Sequence, residues 1–292
     1  MRKKFLSKLC INTILAIISL VFIIPILTLV TISFSNEADV LQKGYSILPR
    51  SLSFEAYRFI FKSPVQLLNS YKVTIFISIL GTLTSVFIMM LCAYALTRKC
   101  FKYRKHISFF LFFTMMFHGG LIPGYILITQ YLHLQNTIWV MVISMLVNVW
   151  YIFIFRSFIK EIPDAIVESA MIDGASEFRI FLSLVVPLST PAIATIGLFV
   201  LLAYWNEWMT ALLYVTKPEL YPLQYLLQKT LQDLQSMIQN MDKMSGLPQS
   251  ANVPSETVRM ALAVVAAGPM IFIMAFFQKY FVRGMTIGSV KG

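Results

Sequence analysis

The chain has 292 residues, of which 58% are hydrophobic and only 13% are charged, and its formal net charge at pH 7 is +11. Soluble domains are about 25% charged, so a chain this poor in charge cannot cover a water-facing surface. Its basic residues flank apolar segments and build no continuous basic face, which argues against nucleic-acid binding. The three cysteines lie beside or inside apolar segments, so no disulfide framework or cysteine-rich metal site is indicated.

The first apolar segment runs from Leu9 to Ser35 without a single Asp, Glu, Lys or Arg. The apolar region of a cleaved signal peptide is only about 7–15 residues long, and it ends at a small-residue A-x-A site that is missing here. We therefore interpret this segment as a retained membrane span.

Along the chain, about six apolar segments are long enough to cross the hydrocarbon layer, which needs roughly 20 helical residues. They are Ile11–Ser33, Val73–Thr97, Ile107–Gln130, Thr137–Phe158, Leu188–Val215 and Val258–Val282. The sequence thus predicts an all-α, polytopic membrane protein that forms a single domain over residues 1–292. Only the short polar stretch 132–136 separates the third span from the fourth.

Lysine and arginine indicate the orientation, because loops that stay in the cytoplasm are enriched in them. Basic clusters precede the first span and follow the second: Arg2, Lys3, Lys4 and Lys8, then Arg98, Lys99, Lys102, Arg104 and Lys105. Both termini are therefore predicted to be cytoplasmic, with longer outer loops at about residues 36–71 and 216–257. Leucines at helical intervals in the second outer loop predict an amphipathic helix around Tyr221–Met244.

The cytoplasmic loop at about residues 160–187 has the pattern of a helix-turn-helix. Pro163 and Asp164 suit the start of a short helix. An Asp-Gly pair ending at Gly174 suits its last turn, and Ser176 suits the cap of a second helix. An apolar stripe on the first helix would fit a groove on another protein, and an interfacial connector resting on lipid headgroups is the alternative. The predicted stripe consists of Ala165, Ile166, Ala170 and the pair Met171 and Ile172.

Two later stretches also have distinctive compositions. The predicted fifth span contains Trp205-Asn206-Glu207-Trp208, and Glu207 is the only acidic residue inside any predicted span. The chain ends with the mixed basic, glycine and aliphatic sequence 278–292.

The loop at 160–187 resembles the EAA motif of the permeases of binding-protein-dependent ABC importers. That motif reads Glu-Ala-Ala, three residues, Gly, nine residues, Ile, any residue, Leu, Pro. The spacing from Glu168 through Gly174 to Pro187 matches it throughout. The departures are small or aliphatic replacements: Ser169, Leu184 and Val186.

The resemblance extends over most of the chain. Trp205-Asn206 looks like the Trp-Asn signature of maltose-type carbohydrate permeases, and residues 278–292 are similar to the end of those proteins. The stretch from His118 to Pro123 resembles a branch associated with complex oligosaccharides. The resemblance implies the fold of a type I ABC importer permease and the import of carbohydrate, specifically an oligosaccharide.

In that family the loop is a coupling helix that sits in a cleft of a cytoplasmic ATPase and transmits the closure of the ATPase to the spans. The resemblance implies that the coupling residues are Glu168, Ser169, Ala170, Asp173, Gly174 and Pro187. It implies further ATPase contacts at Gly288, Ser289 and Lys291 near the end of the chain.

The same resemblance implies the partners and the location. A second permease subunit would complete a heterodimer, two cytoplasmic ATPase subunits would bind it, and an extracytoplasmic substrate-binding protein would deliver the sugar. The location would be the lipid bilayer of a bacterial cytoplasmic membrane. The chain has no G-x-x-x-x-G-K-[ST] phosphate loop, so we expect a transport subunit that is not an enzyme. No cofactor is expected in this chain, and ATP and Mg²⁺ would belong to the ATPase.

Sugars present apolar ring faces edged by hydroxyls, so a path for them should combine aromatic rings with amides. The candidate path residues are Tyr204, Trp205, Asn206, Glu207, Trp208, Asn148 and His118. For Glu207 the alternative is an outer aromatic belt from which the carboxylate reaches water. For Asn148 the alternative is a polar contact between helices, and for His118 it is a packing role.

Two other function classes stay open from the residues alone. An ion-coupled secondary transporter would need intramembrane acids or bases, and Glu207 is the single acidic candidate. A membrane-embedded enzyme would need a recognisable motif, and neither H-E-x-x-H nor G-x-S-x-G occurs.

Overall fold

Helices make up all of the regular secondary structure in residues 2–62, 64–245 and 256–288, which are the residues that the computed structural model describes. The α-helices are α1 (Arg2–Ser33), α2 (Glu37–Lys43), α3 (Glu55–Ile60), α4 (Pro64–Thr97), α5 (Arg104–Met116), α6 (Leu121–Ile126), α7 (Ile138–Ile143), α8 (Val149–Lys160), α9 (Asp164–Ile172), α10 (Glu177–Ile180), α11 (Val186–Leu188), α12 (Thr190–Trp205), α13 (Met209–Tyr214), α14 (Leu223–Ser245) and α15 (Glu256–Gly288). Shorter turns are π-helical at Leu127–Tyr131 and Phe181–Val185, and 3₁₀ at Pro218–Leu220. The all-α prediction is confirmed.

Three single helices among the described residues are long and apolar enough to cross a membrane: Lys8–Ser33, Pro64–Thr97 and Glu256–Ala275. Two further candidates are pairs of helices with a sharp bend, Arg104–Met116 with Leu121–Tyr131 at 114° and Glu177–Leu188 with Thr190–Trp205 at 82°. These five candidates overlap the first, second, third, fifth and sixth predicted spans. The bend in the third falls at residues 117–120, where two consecutive glycines give little support to a helix.

The fourth predicted span, Thr137–Phe158, is not one continuous helix. It is divided into α7 and α8 by residues 144–148. The side chain of Asn148 accepts a hydrogen bond from the backbone N–H of Trp150 at 3.0 Å, which caps a new helix at this point. Hydrophobicity alone predicted continuity because the break is made by a cap and not by a charge.

The chain divides into two compact units. The first consists of Met1–Leu67 with Leu227–Pro269, and the second of Leu68–Leu226 with Met270–Gly292. The predicted amphipathic helix is present as α14, in which Leu227 and Leu234 are buried as the leucine spacing indicates. The assignment of residues 1–292 to a single membrane domain stays a prediction.

In the first unit, a buried carboxylate holds the beginning of α15. Glu37 is only 5% exposed. Its two carboxylate oxygens accept the backbone N–H groups of Glu256 and Thr257, both at 2.9 Å, and the Thr257 hydroxyl at 2.6 Å. The first N–H groups of a helix have no partner within the helix, and an anion there also suits the helix dipole. A residue 219 positions upstream of Glu256 therefore caps α15.

We expect a Glu37→Gln variant to lower the free energy of unfolding by about 1.5–3 kcal/mol, because the amide NH₂ would face N–H donors in place of a charged acceptor. Thermal unfolding of the purified chain in mild detergent measures the change. Glu55→Gln is the matched control, since Glu55 is an exposed acid in the first turn of α3. Equal melting temperatures for the two variants would contradict the capping role.

In the second unit, one buried cluster joins α4 to α8, α12 and the segment that follows α10. Its largest members include Met89 of α4, Phe155 of α8, Tyr204 of α12, and Phe181 of the π-helical turn after α10. Each of these side chains is exposed by 1% or less. The Tyr204 hydroxyl donates to the carbonyl oxygen of Val142 at 2.8 Å and lies 3.1 Å from the Ser85 hydroxyl. The end of α12 is thereby fixed against α4 and the C-terminal end of α7.

Candidate functional site

The loop between the predicted fourth and fifth spans forms the helix-turn-helix that its sequence predicts, and we call residues 164–180 the hairpin. Helix α9 ends in a turn where Gly174 has φ of 79°, a left-handed conformation that glycine adopts at little cost. The N–H of Gly174 bonds to the carbonyl of Met171 and the N–H of Ala175 to that of Ala170, both at 3.0 Å. This pair of bonds is the Schellman arrangement that closes a helix. Ser176 then caps α10 by accepting the N–H of Arg179 at 3.4 Å.

The apolar stripe on α9 differs from the one predicted. Val167 is buried and Ala170 packs against the core of the second unit, so these residues face the chain itself. Ile166, Met171 and Ile172 of the predicted stripe are exposed, as docking on another protein would require, whereas Ala170 faces inward. The exposed large apolar residues of the hairpin are Ile166 (41%), Met171 (41%), Ile172 (86%) and Phe178 (55%), and we call them the hairpin patch. The predicted coupling residues Glu168, Ser169 and Asp173 are also exposed, and Pro187 is exposed in α11.

Polar contacts attach the hairpin to the C-terminal end of α4. The Glu177 carboxylate accepts a hydrogen bond from the Tyr94 hydroxyl and two from the Arg98 guanidinium, at 3.2 Å from Nε and 3.1 Å from Nη2. We call Tyr94, Arg98 and Glu177 the latch. Sequence reasoning used Arg98 only to set the orientation and missed this contact; the acid in the loop and the basic run after the second span were the available signal.

A second ion pair joins Lys99 to Asp164, with 2.6 Å between Nζ and Oδ2. The hydrogen bond and charge of the Lys99 ammonium hold the pKa of the Asp164 carboxyl below its ordinary value, and the same contact raises the pKa of Lys99. The ionised pair is therefore complete at neutral pH and is lost as the pH falls through the lowered pKa of Asp164. Both side chains are well exposed, so the pair contributes little to stability.

We expect Glu177→Gln to reduce substrate uptake about three- to tenfold, which corresponds to roughly 1 kcal/mol of lost latch energy. ATP hydrolysis by the assembled importer should fall less, because the variant loosens the hairpin without removing it. The measurement is the ratio of substrate transported to ATP hydrolysed in proteoliposomes. Glu161→Gln is the control, since Glu161 is an exposed acid of the same loop with no ion pair among the described residues. An unchanged ratio in Glu177→Gln would contradict the role of the latch.

The predicted path residues of span five lie at a break and not inside a continuous helix. Helix α12 ends at Trp205 and α13 begins at Met209. Glu207 is half-buried, and its Oε1 accepts the backbone N–H of Thr210 at 2.6 Å, so that it caps α13. Hydrophobicity predicts one span through Val215, because the sequence does not distinguish a carboxylate that caps a helix, as Glu207 does, from one embedded in the membrane.

The side chains around this break fall into two groups. Tyr204 and Trp205 are buried, at 1% and 3% exposure. Asn206 is exposed, and its side chain donates to the Leu202 carbonyl at 2.8 Å and accepts from Gln224 Nε2 at 3.2 Å. Trp208 is half-buried. The structure therefore presents an amide, a carboxylate and an indole at a helix break, supported by two buried aromatic residues.

The remaining predicted site residues occupy other positions. Asn148 is exposed and caps α8, and His118 is exposed in the break before α6, where its Nδ1 accepts the N–H of Gly120 at 3.0 Å. Each of these bonds is local. Gly288 is the last residue of α15, while Ser289 and Lys291 lie outside the described residues.

The chain is similar to known transport proteins. A family model described as "Binding-protein-dependent transport system inner membrane component" matches residues 2–287. The polygalacturonan/rhamnogalacturonan transport system permease protein of Bacillus subtilis is 36% identical over 279 residues, which cover 95% of this chain and 96% of that protein. The trehalose/maltose transport system permease protein of Thermococcus litoralis is 28% identical over the whole of both chains.

A solved structure is similar as well. It is described as the crystal structure of a bacterial ABC transporter involved in the import of the acidic polysaccharide alginate. One of its chains matches with a TM-score of 0.79 and 29% sequence identity, over 96% of this chain and 98% of that chain.

Proposed function

The chain belongs to the family of binding-protein-dependent transport system inner membrane components, and we propose that it forms half of the translocation path of an ATP-driven importer of oligosaccharides. Its relatives are carbohydrate ABC transporter permeases of bacteria and archaea, so a bacterial membrane transport subunit is the general function. The proposal adds that this subunit receives a mechanical signal from a separate ATPase. ATP and Mg²⁺ are bound by that ATPase and not by this chain.

The hairpin is the observation that carries the proposal. Its patch exposes four large apolar side chains beside the acids Glu168 and Asp173. Exposed apolar clusters rimmed by polar residues are typical of protein-protein contacts. The tight turn at Gly174 gives the patch a fixed shape, and the latch connects it to a long membrane-crossing helix. A movement imposed on the hairpin would therefore reach α4 and, through Pro187 and the bend at Ser189, α12.

For the substrate path, we propose the helix break after α12. The amide of Asn206, the carboxylate of Glu207 and the indole of Trp208 match the hydroxyl edges and apolar faces of a sugar. Tyr204 and Trp205 are buried and would hold this break in place from behind. Broken helices in transport proteins are tolerated where they line a cavity, which supports a path here. Asn148 and His118, exposed at the starts of two other helices, are further candidates.

The assembly follows from the same reasoning. We propose a heterodimer with a second permease subunit, two cytoplasmic ATPase subunits and an extracytoplasmic substrate-binding protein. The termini of this chain lie in the cytoplasm, as the basic clusters at residues 2–8 and 98–105 predict. The end of α15 at Gly288, with Ser289 and Lys291 beyond it, is proposed to contact the ATPase.

The test is uptake of a labelled oligosaccharide by proteoliposomes that contain the complex co-purified with this chain. Uptake should require ATP on the ATPase side and should persist when an ionophore collapses the proton and sodium gradients. Loss of uptake with the ionophore, together with indifference to ATP, would overturn the importer and support an ion-coupled transporter. The proteins that co-purify in mild detergent should include an ATPase and a second permease.

A further inference from the structure

A basic pocket lies where the hairpin meets the ends of the membrane helices. It has a volume of about 330 Å³ and is bounded by the C-terminal ends of α4 and α8, the first residue of α5 and the first helix of the hairpin. Its charged lining consists of Arg98, Lys99, Arg104, Lys160 and Asp164. Ile159, Ile162, Val167 and Val185 supply an apolar part of the wall.

The pocket carries an excess of positive charge. Four cationic side chains line it against the single carboxylate of Asp164, which Lys99 neutralises at 2.6 Å. Arg98 is paired with Glu177 of the latch. Arg104 and Lys160 have no carboxylate partner among the residues that the structure describes. The guanidinium of Arg104 makes one weak contact, 3.5 Å from Nη1 to the carbonyl oxygen of Arg98, and is half-buried.

The neighbouring helix end adds to this potential. Helix α5 begins at Arg104 with no acidic residue in its first turn and no side-chain cap. The N-terminus of a helix carries a partial positive charge. Two cations without a carboxylate partner among the described residues, one of them half-buried beside a helix start, form a site that is complementary to an anion.

We propose that this pocket binds a phosphate group. A guanidinium and an ammonium are the groups that proteins most often use for phosphate. The pocket lies at the end of α4, one of the three helices long and apolar enough to cross a membrane, and basic pockets between membrane helices on the cytoplasmic side take anionic lipid headgroups. The two sources of the phosphate are therefore a phospholipid headgroup and free phosphate. Placing the pocket at the cytoplasmic face rests on the proposed function.

A bound phosphate would act on the hairpin. Arg98 belongs both to the pocket and to the latch, and Lys99 binds the first residue of α9. An anion beside them would lower the repulsion among the four cations of the pocket, of which Arg98 and Lys99 hold the hairpin to the end of α4. Binding of anionic lipid is thus expected to stabilise the hairpin in its described position.

The experiment measures phosphate-group binding to the purified full-length chain. One arm follows retention of phosphatidylglycerol against phosphatidylcholine from mixed micelles by native mass spectrometry, and the second titrates inorganic phosphate in lipid-free detergent. The variant is Arg104→Gln with Lys160→Gln. The control is Lys102→Gln with Lys105→Gln, which removes the same charge from exposed residues on either side of Arg104 that do not line the pocket.

We expect the pocket variant to weaken phosphatidylglycerol retention at least tenfold and the control to weaken it less than twofold. If inorganic phosphate binds as tightly as phosphatidylglycerol, and the pocket variant loses that binding as well, free phosphate is identified as the source. An equal loss in variant and control would overturn the site in favour of general surface attraction. Unchanged lipid binding with loss of the co-purified ATPase would overturn it in favour of an acidic protein segment.

Two precautions keep the result decisive. Lys160→Gln alone changes an exposed residue, so it serves if the double variant does not fold. The two binding measurements need neither ATP nor sugar. They can therefore be interpreted even if the uptake assay contradicts the importer, and the uptake assay can be interpreted even if no phosphate group binds.

Discussion

A Gly174→Asp variant is expected to insert into the membrane normally and to lose uptake at least about tenfold, an effect that requires roughly 1.4 kcal/mol. A non-glycine residue in the left-handed conformation costs about 1–2 kcal/mol. The aspartate would also add negative charge next to Asp173 at the C-terminal end of α9, where the helix dipole is already negative. The turn of the hairpin would then carry a second negative charge beside the hairpin patch, which we propose to enter a groove of the ATPase.

The effect is not a clash inside the chain, because a Cβ atom at residue 174 would meet no heavy atom within 4 Å. Gly174→Asn is therefore the informative control. Asparagine has nearly the same shape as aspartate, and both visit the left-handed conformation more readily than other non-glycine residues, but asparagine is neutral. We expect it to keep most of the uptake and to retain the co-purified ATPase, which Gly174→Asp should lose. Normal transport and ATPase retention by correctly inserted Gly174→Asp would remove the main support for the coupling role.

The hairpin was predictable from sequence because its signals are local. Asp164, Gly174 and Ser176 act within a few residues of their own positions, through a first-turn charge, a helix-ending turn and a cap. The long apolar spans were predictable for a similar reason, since length and hydropathy decide them. Both rest on information that a short window of sequence contains.

The side of α9 that is buried was not predictable in the same way. A membrane protein places apolar residues against lipid and partner subunits as well as in its own core, so apolarity does not separate inside from outside. Val167 faces the core and Ile172 faces outward, although both are aliphatic. Choosing between them requires the position of α4 and α8, which lie far away in the sequence.

The breaks and long-range caps were missed for a related reason. Glu37 was assigned only to an outer loop, yet it caps a helix 219 residues away. The sequence places Glu207 as a charge inside a span, whereas its side chain caps the start of α13. In each case the carboxylate is satisfied by backbone N–H groups, which no sequence pattern displays.

A Gly81→Ala variant is expected to lower the free energy of unfolding by about 1–3 kcal/mol, the usual cost of adding volume to a packed core. A Cβ atom at residue 81 would lie 2.5–2.7 Å from three ring atoms of Tyr204. The ring is not free to turn away, because its hydroxyl is bonded to the Val142 carbonyl and lies beside Ser85. Either α4 and α12 separate or these buried bonds are lost, and both outcomes lower the melting temperature of the chain in detergent.

Gly197→Ala provides the comparison, since it makes the same change within α12 and its Cβ atom would meet only Val86 at 3.9 Å. Alanine favours a helix over glycine by about 1 kcal/mol, so this control is expected to be neutral or stabilising. A second test introduces Gly81→Ala into a Tyr204→Leu background, where the ring is absent. The cost of the alanine should then largely disappear, because residues in contact give non-additive effects. If the cost of Gly81→Ala is the same with and without the ring, Tyr204 is not what makes glycine necessary there, and its assignment as the support behind the Asn206–Trp208 break loses its basis.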